Sequence, residues 1–125
     1  QHLDVEANTI RNQSHQLSHL NDHRKSLRIE ANEGHPVVQF TSSVYYAEEG
    51  VDSVVVLKVI RIGNREGTSE VSYQTFDDSA LNGRSYVATS GMLVFGPGEA
   101  ALNIEVPIID NGLWDTTLEF ECRLL

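Results

Sequence analysis

One cysteine, three prolines and no initiator methionine mark this chain of 125 residues. Cys122 alone permits no internal disulfide, so redox compartment stays unread and a buried structural thiol is the expectation. No run approaches the ~20 apolar residues of a membrane-crossing helix, which reads as a segment that does not itself insert into a membrane. Basic residues are scarce: 9 Lys and Arg stand against 18 Asp and Glu, and no basic cluster exists to neutralise phosphates. Nucleic acid is thereby disfavoured as a partner, while cations or basic surfaces fit. Catalytic patterns are missing as well: no nucleophile elbow, phosphate loop or His-Glu-x-x-His occurs, and from Pro36 onward the serines have no histidine to pair with. Acid pairs such as Asp77-Asp78 read as strand terminators, and the expectation is a protein without enzymatic activity. Beginning at Gln1, the chain reads as a piece of a longer protein, one domain in size.

What is present divides at about Pro36. Residues 1–35 hold all five histidines and are nearly neutral, whereas thirteen of the 18 acids lie beyond them. Leu3, Ile10 and Leu17 are seven apart, as are Leu20 and Leu27, and neither Pro nor Gly occurs before Gly34. That partial heptad stripe predicts an N-terminal helix or linker ending at Gly34-His35-Pro36. On such a helix His15, His19 and His23 would share a ridge, a spacing that permits Zn²⁺, but a solvated polar face is the simpler reading. The sequon Asn12-Gln13-Ser14 bears on glycosylation only in a secreted setting.

Residues 36–125 switch to a period of two. Val37–Ala47 reads as one broken strand and Ser53–Ile62 as a second, with Val55, Leu57 and Val59 inward and Val56, Ile60 and Ile62 outward. That apolar outer face predicts a cover, for which the N-terminal stripe is the nearest candidate. Further alternation follows at Val71, Tyr73 and Thr75, at Met92–Phe95, at Leu102–Ile108, and at Leu118, Phe120, Cys122 and Leu124. Pro107 on the outer side of its run points to an edge or a bulge. Six strands separated by turn signals predict an all-β fold, an antiparallel β-sandwich.

The punctuation of these strands resembles the Calx-beta domain family, over about Val38 to Leu124. The resemblance rests on Phe40, Tyr45-Tyr46-Ala47-Glu48-Glu49-Gly50, Val59-Ile60-Arg61-Ile62-Gly63, Tyr73-Gln74-Thr75, Ala80, Gly83, Ser85-Tyr86, Gly91-Met92-Leu93-Val94-Phe95-Gly96-Pro97-Gly98-Glu99, Ile108-Ile109-Asp110 and Leu118-Glu119-Phe120. It implies an immunoglobulin-like sandwich acting as an interaction or regulatory module of a larger, membrane-associated or multi-domain protein. It also implies Ca²⁺ at one end, held by acids from the first strand's end and from the loop before the last strand. Carried over by position, the ligands are Glu49, Asp110, Asn111 and Asp115, with the Leu113 carbonyl near them and Trp114 in the same loop. Departures weaken this set. Ser85 stands where calcium-binding members have Asp, Asn111 and Gly112 replace two further acids, Leu118 replaces another, and Asp78 occupies a usual Gly position. The retained donors imply one weakly held ion, with Kd on the order of 10⁻⁴–10⁻³ M; the alternative is a structural or adhesion spacer that has lost calcium. The family's seventh strand has no counterpart among residues 36–125, so an open edge inviting strand addition is the further expectation, alongside contacts with the parent protein's other domains.

Overall fold

The computed structural model describes residues 2–8, 35–112 and 117–125. They form eight strands: β1 His2–Asn8, β2 Val37–Phe40, β3 Val44–Glu48, β4 Val54–Ile62, β5 Ser69–Asp77, β6 Ser90–Phe95, β7 Ala101–Pro107 and β8 Leu118–Leu124. Two sheets result, with strand orders β3-β1-β8-β5-β6 and β2-β4-β7. Alternation explains their assembly. Val55, Leu57 and Val59 of β4, Ile104 and Val106 of β7, and Phe120, Cys122 and Leu124 of β8 all turn into one shared core. The predicted sandwich is therefore the observed one, and Cys122 is a buried free thiol.

Local chemistry sets the breaks. The strand predicted across Val37–Ala47 divides at Thr41–Ser43, where the Tyr45 hydroxyl accepts from the Thr41 and Ser42 amides at 3.2 Å each and donates to the Lys58 carbonyl at 3.0 Å. This lets one run of sequence serve both sheets, β2 in one and β3 in the other. Gly63 closes the turn after β4 at φ +87°, where a Cβ would fall 2.4 Å from the His35 carbonyl oxygen, so glycine is required. β7 is an edge strand, which accommodates Pro107.

At the N-terminus the expectation of a helix is overturned for the described part. His2–Asn8 is a strand, because Leu3, Val5 and Ala7 alternate with polar residues and find two flanking strands to pair with. β1 runs antiparallel to β3 and parallel to β8. The edge of β8 expected to be open is thus occupied from within the chain, and Leu3 and Val5 are fully buried. The remaining heptad positions and His15, His19 and His23 lie outside the described residues. Val56 and Ile62 are exposed, and the described part of their expected cover belongs to the opposite sheet.

Candidate functional site

One end of the sandwich gathers the turn after β3, the segment after β7 and the loop between β5 and β6. The first is set by Gly50 at φ +88°. There the Val51 and Asp52 amides donate to the Glu48 carbonyl and Asp52 Oδ2 accepts from the Glu48 amide at 2.8 Å, a tight turn that carries Glu49 inward. The second is sewn down on both sides, by the Ile108 amide to the Ser53 carbonyl and the Ile109 amide to the Ser85 carbonyl, each 2.9 Å.

These ties bring Glu49, Asp110 and Asn111 together across some sixty residues of sequence. Glu49 is 8 % exposed, and its Oε1 accepts from the Asn111 amide at 2.7 Å. Its other oxygen, Oε2, is buried without a hydrogen-bond partner among the described residues. Asp110 lies over the Gly50 turn, its Oδ2 3.6 Å from where a Cβ at Gly50 would stand, while its Oδ1 accepts from the Gly112 amide at 3.1 Å. The Asn111 side-chain amide donates to the Arg84 carbonyl at 3.1 Å, which joins the third segment to the site. Asp115, the fourth residue predicted from sequence, lies outside the described residues, as do Leu113 and Trp114.

An unpartnered buried carboxylate oxygen costs on the order of 1–3 kcal/mol or more, and a cation is one means of offsetting that. The donor set is sparse for Ca²⁺, which takes six to eight oxygens. Among the described residues no three His, Cys, Asp or Glu side chains form a metal-holding group. Ser85 is almost fully buried beside Tyr86 and offers a hydroxyl instead of a carboxylate. Sequence reasoning passed over Asp52, whose carboxylate shares the Glu49 turn and is tied to its backbone; an Asp three residues after Glu49, across a glycine, was the available signal.

Tyr86 anchors the loop that presents Ser85. Its ring stacks on Phe120 with centroids 3.9 Å apart and planes 3° from parallel, and its hydroxyl donates to Asp77 Oδ1 at 2.5 Å. Burial, together with that bond to a carboxylate, raises the phenol above its ordinary pKa, so it remains a donor at all physiological pH. At the opposite end Arg61 is 1 % exposed. Its guanidinium donates to the carbonyls of Glu99, Gly67, Arg65 and Gly96 at 2.8–3.1 Å and lies over the Phe95 ring.

Among known proteins, sodium/calcium exchanger 2 of Mus musculus is 35 % identical over 86 residues, which are 69 % of this chain and 9 % of the exchanger. The extracellular matrix organizing protein FRAS1 of Homo sapiens is 34 % identical over 90 residues, 69 % of this chain and 2 % of that protein. The chain thus spans less than a tenth of the length of either relative. In structure it resembles the calcium binding domain CBD12 of CALX1.1, with a TM-score of 0.58 and 27 % identity over 60 % of this chain and 32 % of that one. The family model for the Calx-beta domain matches residues 32–124. Matched by that family model over more than half of its length, the chain belongs to the Calx-beta domain family.

Proposed function

We propose that this domain is a non-catalytic interaction or regulatory module of a larger, membrane- or matrix-associated protein, and that its acidic end takes one calcium ion weakly. The module proper would run from Pro36 to Leu125, with residues 1–35 as an N-terminal segment that lends β1 to the sheet. No helix among the described residues is long and apolar enough to cross a membrane. The observation that carries the calcium reading is Glu49, a buried carboxylate with one oxygen left without a donor beside Asp110 and Asn111. A cation there would lie against Glu49 and Asp110, with Asn111 and Asp115 completing the protein's share. It would supply charge neutralisation and a tie between the Glu49 turn and the loop before β8. Kd on the order of 10⁻⁴–10⁻³ M suits so few charges.

The test is calorimetric titration with Ca²⁺ together with thermal melting. At calcium about tenfold above Kd the fold should gain about 1.4 kcal/mol, and Glu49→Gln should abolish both heat and shift. A flat titration with unchanged melting would instead favour a structural spacer. That second reading has its own observation, the buried Ser85 where an acid would be needed.

A further inference from the structure

Two Asn-Gly pairs stand in this chain, Asn82-Gly83 and Asn111-Gly112. Such a pair is reactive because glycine, with no Cβ, lets its backbone nitrogen approach the side-chain carbonyl carbon of the asparagine before it. Both pairs lie in the loops of the acidic end, and both glycines have positive φ, +85° and +72°. Their surroundings differ. At the first pair the reacting groups are tied to the fold. The Gly83 amide donates to the carbonyl of buried Tyr86 at 2.8 Å, the Asn82 side-chain oxygen accepts from the Ala88 amide at 2.7 Å, and the Asn82 amide donates to Asp77 Oδ1 at 2.9 Å. The Arg84 and Ser85 amides both close on the Leu81 carbonyl at 3.0 Å, which pins the backbone of that loop.

At the second pair the nucleophile's partner is solvated instead. The Gly112 amide donates to Asp110 Oδ1 at 3.1 Å; Asp110 and Gly112 are both exposed, so water replaces this bond at little cost. Asn111 is positioned by its backbone amide on Glu49 and by its side-chain nitrogen on the Arg84 carbonyl at 3.1 Å. That second bond holds the nitrogen that departs, not the carbon that is attacked. β7 ends at Pro107, and the Asn111-Gly112 peptide belongs to no strand. We propose that Asn111-Gly112 is a self-modification site, where spontaneous deamidation turns the neutral donor of the acidic end into a carboxylate and, in the aspartyl product, tightens that end's hold on calcium. The Gly112 nitrogen bonds to Cγ of Asn111 and gives its proton to solvent, while the Cγ–Nδ2 bond breaks and Nδ2 leaves as ammonia. Water then adds to the cyclic imide and opens it on either side, so the net reaction exchanges ammonia for water with no oxidant or reductant. Opening on one side sets a third carboxylate beside Glu49 and Asp110, in a site whose cation affinity follows the charge of its ligands. Opening on the other gives an isoaspartyl link, one carbon longer in the main chain. The calcium half of the proposal rests on the calcium reading given above; the deamidation half does not.

The test incubates the full chain in heavy-oxygen water at physiological temperature and maps by mass spectrometry where labelled carboxyl groups arise. Label should accumulate at position 111 at least about tenfold faster than at position 82, with the two rates converging in denaturant. Asn111→Gln, whose longer side chain cyclises far more slowly, should lose the label at 111 and keep the slow label at 82. No label at 111, or equal labelling of the two positions in the folded chain, would overturn the modification site. Calcium titration of Asn111→Asp should give a Kd about tenfold below that of the native chain; an unchanged Kd would overturn the gain in affinity. Absence of calcium heat from both chains would remove the calcium reading and that gain together, while the labelling result decides the modification site on its own.

Discussion

Arg61 is the residue whose environment departs furthest from its chemistry. Among the described residues no carboxylate pairs with this buried guanidinium, which is stable here because the turns after β4 and before β7 aim four carbonyls at its fork. Its inward direction follows the alternation of β4, two residues beyond Val59, but nothing in the local sequence names its acceptors, which are brought in by the folding of two turns. Arg61→Met keeps the volume and strands those carbonyls, so the chain should lose about 3 kcal/mol in urea unfolding. Arg61→Lys, with a point charge and three donors, should lose less, about 1–2 kcal/mol. Equal losses for the two would mean that packing of the aliphatic stem, not the carbonyl cage, is what Arg61 supplies.

Among the elements, β8 carries the ion pair of Arg123 with Glu121, 2.8 Å apart. Arg123 hydrogen-bonds Glu121 and holds its carboxyl below the ordinary value; burial opposes this, and the Asn8 amide from β1 adds to the lowering. A depressed carboxyl contributes stability that is fully present above its unfolded pKa and is lost as pH falls through the folded one. Wild type should accordingly melt above Glu121→Gln at neutral pH, by an amount worth about 1 kcal/mol or less for a partly exposed pair. The two curves should converge as pH is lowered through the depressed value; a constant offset would rule out this linkage. The same element shows what sequence could and could not reveal. Strands β2 to β8 were legible because each writes its inward face locally, as Phe120, Cys122 and Leu124 do. β1 was misread because Leu3, Ile10 and Leu17 also satisfy a spacing of seven, and the decision in favour of a strand comes from β3 and β8, forty and more than a hundred residues away. In the candidate site, Glu49, Asp110 and Asn111 could be paired in advance by family resemblance, whereas the buried, partnerless state of Glu49 Oε2 emerges only once the two turns are packed.

For the whole molecule, the central question is whether β1 is part of the cooperative fold or a strand that can leave it. Cys122 reports on this directly. It lies opposite Ala7 of β1 on the inner face, and burial pushes its thiol up to about 12, so in the closed sandwich it should be inert to iodoacetamide at neutral pH. Val5→Asp places a carboxylate where a fully buried side chain stood, at a cost of several kcal/mol that β1 can escape by undocking. Undocking would open the core between β3 and β8 while β4–β7 and β5–β6 pairing persists. The prediction is that Val5→Asp alkylates at Cys122 at least about tenfold faster than wild type, with far-UV circular dichroism still dominated by strand and with Val5→Ala intermediate. If alkylation accelerates only in step with global loss of strand signal, β1 belongs to the folding core; if it accelerates while the strands persist, the rest of the sandwich survives with β1 undocked from β3 and β8.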